Sequence, residues 1–269
     1  MQIDYSGKRV VLTGGYSGVG AALLGQLADL GAPEVTVLDL KAPSGPHTTF
    51  IETNLSDRAA VDWAIAAIVD SGPIDVLFNN AGVADTMPKE TVYAVNVLAS
   101  RRLATQLLPH MNRGGAIVLT DSIAGLGWPE RLGIIQELLA IDDWDEAAAW
   151  LAGVEVETQP YMFSKEIGQV FTMQFAPEAT KHGVRVNSVC PAPIDTPLLE
   201  DFRQTMTDAV IDWMLGNGYG RPVTADEVAS ALAWLGSSAS EYVSGINLTI
   251  DGGFNGALTT GKVDFSTLG

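Results

Sequence analysis

The sequence is poor in the residues that build disulfides and metal centres. It has a single cysteine, Cys190, so no intrachain disulfide can form and nothing suggests secretion. Its three histidines, His47, His110 and His182, are scattered without metal-ligand spacing, which predicts no metal site. No base stands near Cys190 to activate its thiol, so we interpret it as a small buried residue.

Basic residues and long apolar runs are also scarce. Fifteen Lys and Arg stand against 32 Asp and Glu, a formal net charge of −17, which makes nucleic acid and anionic membranes poor partners. No apolar run approaches the length of a transmembrane helix, and the first residues lack the pattern of a signal peptide. We therefore expect a cytoplasmic protein that binds a small molecule, not nucleic acid or a membrane.

The chain does contain a regular alternation of apolar strand patterns and longer helical patterns. At 269 residues and 47% hydrophobic content, it can form one large α/β domain, residues 1–269. Continuous apolar strands indicate a sheet covered on both faces, and the alternation predicts a doubly wound parallel sheet of the Rossmann type. The predicted strands are 9–13, 34–38, 74–78, 116–120, 184–189 and 246–250, and the predicted helices are 18–30, 57–69, 91–111, 161–181 and 224–235.

Two segments interrupt this alternation. Residues 126–160 contain patterns for two short helices and predict a helical insert near the active site, while residues 198–220 predict helices of a substrate loop. Residues 254–269 are expected to form a C-terminal tail. The apolar stripes of the two segments either pack on the core or line a pocket. The candidate pocket residues are Trp128, Leu198, Phe202, Met206, Trp213 and Met214.

A glycine-rich turn, Gly14 to Gly20, follows the first predicted strand and opens a helix. Glycines allow the main chain to approach a phosphate closely, and the helix N-terminus offers free N–H groups. Asp39 ends the second strand, where a carboxylate can accept hydrogen bonds from an adenosine ribose and repels a 2′-phosphate. Lys41 is the only cation near it, so the sequence favours NAD over NADP.

Tyr161 and Lys165 are four residues apart in a predicted helix, so their side chains share one face. A neighbouring ammonium ion lowers the pKa of a phenol, and bringing tyrosine from about 10 to about 7 takes roughly 4 kcal/mol. This spacing alone is a weak signal. It gains weight from the glycine-rich turn and from Ser122 upstream.

Together these segments resemble the classical short-chain dehydrogenases/reductases over roughly residues 5–253. The segments that carry the resemblance are TGGYSGVG at 13–20, NNAG at 79–82, VNVLAS at 95–100, VLTDSIAG at 118–125, YMFSK at 161–165, CPAPIDTP at 190–197 and GINLTIDGG at 245–253.

The resemblance implies a catalytic tetrad of Asn96, Ser122, Tyr161 and Lys165. In such a tetrad Tyr161 exchanges a proton with the substrate oxygen, which Ser122 orients. Lys165 lowers the pKa of the phenol and holds the nicotinamide ribose, and Asn96 anchors a water-mediated proton path. The expected cofactor-binding residues are Gly14, Tyr16, Ser17, Gly18, Val19, Gly20, Asp39, Leu40, Asn54, Leu55, Asn80, Ala81, Gly82, Tyr161, Lys165, Pro191, Ile194 and Thr196.

Thirty-nine positions separate Ser122 from Tyr161, where most members of the family have a much shorter loop. This insert is similar to that of a bacterial subset that includes 3α-hydroxysteroid dehydrogenase/carbonyl reductase. It adjoins the predicted catalytic helix, whose outer face often forms subunit contacts in the family. We expect the insert to cap the substrate cleft, to alter oligomerisation, or both.

The resemblance implies an NAD-dependent oxidoreductase that interconverts a hydrophobic secondary alcohol, of steroid, terpenoid or aryl type, and its ketone. It also implies a homo-oligomer, either a dimer or a tetramer. Two alternatives are a dinucleotide-binding sensor or scaffold without catalysis, and a related lyase that uses serine and tyrosine without redox chemistry. The intact tetrad argues against the first, and the intact cofactor turn and lysine argue against the second.

Overall fold

The computed structural model describes residues 3–264. Expectations for residues 1–2, and for the end of the predicted tail at 265–269, lie outside the described residues. The strands, in chain order, are β1 (Arg9–Thr13), β2 (Glu34–Asp39), β3 (Thr49–Glu52), β4 (Ile74–Asn79), β5 (Met111–Thr120), β6 (Arg185–Pro191), β7 (Ile194–Asp195), β8 (Val223–Thr224) and β9 (Asn247–Ile250).

Seven of these strands form one parallel sheet in the order β3-β2-β1-β4-β5-β6-β9, and β7 pairs with β8 separately. The order reverses between β1 and β4, which follow each other in space but not in sequence. In doubly wound sheets, ligands bind in the crevice at the carboxyl ends of the strands beside such a reversal. We therefore expect a ligand to bind beside the loops after β1 and β4.

The helices are α1 (Gly18–Asp29), α2 (Arg58–Asp70), α3 (Lys89–Tyr93), α4 (Ser100–Leu107), α5 (Trp128–Leu139), α6 (Trp144–Gly153), α7 (Pro160–Lys181), α8 (Leu198–Met206), α9 (Asp208–Gly216), α10 (Ala225–Gly236) and α11 (Phe254–Thr259). Within residues 3–264, none of them is long and apolar enough to cross a bilayer.

The two faces of the sheet bury separate apolar clusters. Successive strand residues point to opposite faces. Accordingly, Val11 of β1 packs into the cluster with α2, α4 and α7, whereas Val10 and Leu12 pack into the cluster with α1 and α10. In β4, Leu77 and Phe78 divide in the same way. This burial on both sides explains why the strands are continuously apolar, and it confirms the predicted fold class.

The structure differs from the predicted elements in a few places. The predicted helix 91–111 is α3, a π-helical segment (Ala94–Ala99), α4 and a 3-10 turn, and its last residue begins β5. The short strands β3, β7 and β8 were not predicted. The predicted tail begins with a helix, α11, because Phe254 anchors it in the protein with only 3% of its surface exposed.

Candidate active site

The glycine-rich turn joins β1 to α1. Gly14 and Gly18 have φ angles of 75° and 56°, which side chains rarely allow. A Cβ atom at Gly14 would lie 2.8 Å from the main chain after β4, and one at Gly20 would collide with the Gly14 carbonyl. The Asn80 side chain donates to that carbonyl at 3.0 Å. The Ser17 side chain does not cap α1, so the first N–H groups of the helix remain available to an anion.

Asp39 is held at the end of β2 by the same turn. Its Oδ2 accepts from the Tyr16 amide at 2.9 Å, and its Oδ1 accepts from the Leu40 amide at 2.7 Å. A carboxylate has about four acceptor sites, so both oxygens can still accept from a ligand hydroxyl. The ammonium of Lys41 lies 5.3 Å from the centre of the Tyr16 ring, on the same side of the crevice.

These residues line a cavity of about 430 Å³. It includes sixteen of the eighteen expected cofactor-binding residues. Gly20 lies behind the turn instead, and Pro191 lines a second cavity. The cavity has further wall residues that the sequence did not assign to the cofactor, and two of them, Leu198 and Phe202, were candidates for the substrate pocket. These wall residues are Leu38, Thr53, Val83, Val95, Thr120, Asp121, Pro197, Leu198, Asp201 and Phe202.

Helix α7 carries Tyr161 and Lys165 past the end of β5, where Ser122 begins a short 3-10 turn. The hydroxyl of Ser122 acts on the Tyr161 phenol and lowers its pKa. The ammonium of Lys165 donates to the Thr120 carbonyl at 2.8 Å and lies 5.5 Å from the centre of the Tyr161 ring. Three of the four predicted catalytic residues therefore meet around one phenol.

Asn96 lies in the π-helical segment between α3 and α4. Its Nδ2 donates to the Val83 carbonyl at 3.0 Å and to the Ser164 hydroxyl at 3.1 Å, and its Oδ1 accepts from the Val83 amide at 3.0 Å. A Cβ atom on Gly82 would lie between Asn96 and Lys165, 3.4 Å from the amide oxygen and 3.7 Å from the ammonium. The local π-helical turn, a frequent feature of functional sites, brings Asn96 to the lysine side of the site.

The start of α7 is fixed by a residue that the sequence did not identify. Oδ1 of Asp85, in the loop after β4, accepts from the Tyr161 amide at 2.8 Å. A carboxylate at a helix N-terminus stabilises both the free N–H groups and the positive end of the helix dipole. The loop after β4 therefore positions two parts of the site, the glycine-rich turn and Tyr161.

The surroundings of Tyr161 differ from the expectation of a phenol acidified by lysine. Burial raises the pKa of Tyr161 above its ordinary value; the Ser122 hydroxyl opposes this, and the carboxylates of Asp121 and Asp85 add to it. Burial also lowers the pKa of Lys165, which Asp121 opposes. Burial and the nearby carboxylates therefore act on the phenol in the direction opposite to that expected of the lysine charge.

A second cavity of about 760 Å³ adjoins the first and shares with it Asp121, Tyr161, Ile194 and Phe202. The ring of Phe202 lies 4.7 Å from that of Tyr161, measured between centroids. Apart from the site residues, the wall is largely apolar. Its apolar residues include Leu126, Met162, Met206, Val210, Ile211, Met214, Phe254 and Leu258.

Three of the six candidate pocket residues, Phe202, Met206 and Met214, line this second cavity. The other three do not. Leu198 lines the first cavity, and Trp128 packs against the core beside α7. Trp213 makes an edge-to-face contact with Phe254, with 5.4 Å between the ring centres, and so lies one layer behind the wall.

The insert contributes to the second cavity at both of its ends. Leu126, Gly127 and Glu130 line it at the first end, and residues 157–159 line it at the second. Sequence reasoning missed Phe254 and Leu258 of α11, because a short segment near the end of a chain has no periodic pattern to place it. The stripe of Met206, Val210 and Met214 was the one usable signal for the pocket.

Two family models match the chain. A model described as short chain dehydrogenase matches residues 8–131, and one described as Enoyl-(Acyl carrier protein) reductase matches residues 148–255. The segment between the two matches, 132–147, lies inside the insert.

Individual proteins match nearly the whole chain. The coniferyl-alcohol dehydrogenase of Pseudomonas sp. (strain HR199 / DSM 7063) is 33% identical over 93% of this chain and 98% of its own. The (+)-borneol dehydrogenase 1 of Salvia officinalis is 28% identical over 93% and 94%. The crystal structure of the 3-alpha-hydroxysteroid dehydrogenase from Pseudomonas sp. B-0831 complexed with NADH superposes with a TM-score of 0.78 at 28% identity, covering 95% of this chain and 99% of that one.

Proposed function

The chain belongs to the short-chain dehydrogenase family of oxidoreductases, and we propose that it uses NAD to interconvert a hydrophobic secondary alcohol and its ketone. The observation that carries this proposal is the position of Tyr161 and Ser122. Tyr161 lines both the cavity beside the glycine-rich turn and a second, largely apolar cavity, and Ser122 lines the second one beside it. A substrate oxygen in the second cavity can reach both hydroxyls.

The first cavity fits a nicotinamide dinucleotide in three respects. The turn approaches a ligand with main chain alone at Gly14 and Gly18. The first N–H groups of α1 are available for a pyrophosphate. The preference for NAD rests on Asp39, whose carboxylate favours two ribose hydroxyls over a 2′-phosphate.

A bound nicotinamide accepts or supplies the hydride. In the reduction, Tyr161 gives its proton to the carbonyl oxygen as negative charge develops there, and Ser122 donates a hydrogen bond to the same oxygen. The ammonium of Lys165 lies over the phenol ring, 5.5 Å from its centre, and balances the charge of the phenolate after the proton leaves. Asn96 fixes the loop at Val83 beside this lysine. In the oxidation, the same groups act in reverse.

The wall of the second cavity supports a neutral, hydrophobic substrate. The described residues that line it include no Lys, Arg or His, and its charged members, Asp121, Glu130 and Glu157, are all acidic. An anionic substrate such as a phosphorylated sugar would find no counter-charge there. The relatives named for coniferyl alcohol, borneol and a hydroxysteroid point to aryl, terpenoid and steroid alcohols as the first classes to test.

The decisive assay follows the absorbance of NADH with the purified protein and a panel of aryl, terpenoid and steroid alcohols. We expect turnover with NAD on at least one hydrophobic secondary alcohol. Tyr161→Phe should reduce kcat by about 10²–10⁴-fold, the range expected from loss of a general acid/base, and should leave NADH binding nearly unchanged.

Tyr242→Phe is the matched control, because the Tyr242 side chain is fully exposed. Full activity of Tyr161→Phe would overturn the mechanism. Tight NADH binding without turnover on any member of the panel would instead favour a sensor. We also propose that the protein acts as a homo-oligomer, as members of this family commonly do, which light scattering of the assayed sample would test.

A further inference from the structure

One buried carboxylate lies at the site without a part in the reaction described above. Asp121 is the last residue before Ser122, and only 7% of its surface is exposed. Its main-chain amide is fixed to the Val189 carbonyl of β6 at 2.8 Å. Its Oδ2 is buried and has no hydrogen-bond partner within residues 3–264. Burying a carboxylate oxygen without a hydrogen-bond partner costs folding free energy, so a functional explanation for its position is needed.

The carboxylate of Asp121 lies on the face of α7 that carries Tyr161 and Lys165. A Cβ atom on Gly168 would collide with this carboxylate, so the glycine leaves the space in which the carboxylate sits. Gly168 is three residues after Lys165 and seven after Tyr161, positions that share one face of a helix. Asp121 also borders both cavities.

The charged and titratable groups around it come from three elements. Helix α7 contributes Lys165 and Tyr161, and β6 contributes Cys190, with Asp85 acting on the phenol from the loop after β4. Burial raises the pKa of the Cys190 thiol, so Cys190 is uncharged at neutral pH. Among the residues that the structure describes, Lys165 is the cation that acts on Asp121.

We propose that Asp121 is a positioning residue that acts through the Tyr161–Lys165 pair: its buried carboxylate opposes the charge of Lys165 and so holds the proton on Tyr161. An ionised Asp121 cancels much of the field that Lys165 exerts on the phenol. A protonated phenol is the form that donates to a carbonyl oxygen. The carboxylate therefore biases the phenol toward its protonated form, which the reduction of a carbonyl needs.

The same arrangement makes the bias depend on pH. Burial raises the pKa of Asp121 to about 6, and Lys165 opposes that rise. Above this pH the carboxylate is charged and opposes loss of the phenol proton. Below it, Asp121 is neutral and the lysine charge acts on the phenol alone. The two groups titrate as a coupled pair, with apparent pKa values that belong to both.

The test compares two variants that remove the negative charge. Asp121→Asn keeps the shape of the side chain, and Asp121→Ser makes the side chain smaller. We expect both to lower the pKa of the Tyr161 phenol by on the order of one pH unit or more. The phenol is titrated directly by the ultraviolet absorbance of tyrosinate, as the difference between each protein and its Tyr161→Phe counterpart. This titration requires no turnover, so its result does not depend on the proposed function. Only the consequence of Asp121 for reduction rests on that function.

The kinetic reading follows kcat against pH in both directions. Both variants should move the limb that reports Tyr161 to lower pH in both directions of the reaction. Asp75→Asn is the matched control, because Asp75 is a buried aspartate near the opposite end of the sheet. An unchanged phenol titration in both Asp121 variants would overturn the proposal. A fall in kcat that is equal at every pH would also contradict the proposal, because it would show that Asp121 has only a structural role.

Discussion

Asp39 is the residue on which the choice between the two dinucleotides depends. Replacing it with Asn removes the charge and leaves one acceptor oxygen, which cannot serve both the Tyr16 and Leu40 amides and a ribose. A hydrogen bond to a charged group is worth about 1.5–3 kcal/mol. We expect Asp39→Asn to lower kcat/KM for NAD relative to NADP by about 10–100-fold, since each 1.4 kcal/mol is tenfold.

The measurement is initial-rate kinetics with each dinucleotide at saturating alcohol. Lys41 already lies on the same side of the crevice and gives a 2′-phosphate a cation once the carboxylate charge is gone. Asp29→Asn, at the far end of α1, is the control for loss of one negative charge. An unchanged ratio in Asp39→Asn would show that the discrimination lies elsewhere in the cavity.

The sequence identified the residues of the site that act through local spacing and missed those that act across the fold. Tyr161 and Lys165 share a helix face, and Gly14 and Gly18 share a turn, so their arrangement is visible in the sequence. Asp85 and Asp121 reach α7 from loops after two different strands, and only the topology of the sheet brings them together.

Helix α5 of the insert is fastened to the catalytic helix by a buried ion pair. Arg131 donates two hydrogen bonds of 2.6 Å to the carboxylate of Glu166, which is completely buried next to Lys165. Removing the arginine leaves an uncompensated buried charge, which typically costs about 3–5 kcal/mol. We expect Arg131→Met to lower Tm by about 10 °C, measured by calorimetry.

A second variant separates the charge from the packing. Arg131→Met with Glu166→Leu replaces the pair by apolar groups and should recover most of the lost Tm, because a buried pair and a well-packed apolar pair are often similar in stability. Arg58→Met is the matched control. It breaks exposed ion pairs with Asp143 and Asp145, which are worth about 0–1 kcal/mol. Equal losses for Arg131→Met and Arg58→Met would contradict a buried anchor.

Most elements were predictable because apolar periodicity records burial directly. Five of the seven strands of the central sheet and helices α1, α2, α7 and α10 lie within a few residues of their predicted bounds, while β5 begins earlier than predicted, at Met111. The edge strand β3, Thr49–Glu52, was missed because it has four residues and only one of them, Ile51, is buried. The break in the predicted helix at Ala94–Ala99 was missed because a π-helical turn forms without a glycine or proline that would mark it in the sequence.

At the scale of the whole molecule, the insert is part of the main core and not an appendage. Ile135, Leu138 and Leu151 are almost completely buried and belong to the apolar cluster that also contains α2, α4 and α7. Deleting residues 129–153 would remove this packing and expose the outer face of α7. The role of the insert at the cavity is therefore better tested by point variants such as Glu130→Gln.

The acidic composition of the whole chain predicts how stability responds to salt. A net charge of −17 makes like charges repel in the compact state, more strongly than in the expanded unfolded chain. Added salt shortens the range of this repulsion from about 30 Å at 0.01 M to about 3 Å at 1 M. We expect Tm to rise by about 2–4 °C between these concentrations of NaCl, equivalent to about 1 kcal/mol for a chain of this size.

The control reduces the charge instead of screening it. Asp29 and Asp70 lie in the last turns of α1 and α2, where a negative charge also opposes the helix dipole. The double variant Asp29→Asn/Asp70→Asn should therefore have a higher Tm than the parent at low salt and gain less from added NaCl. If Tm instead falls with salt in both proteins, favourable ion pairs such as Arg131–Glu166 outweigh the net repulsion, and the acidity of the surface is not a cost to the fold.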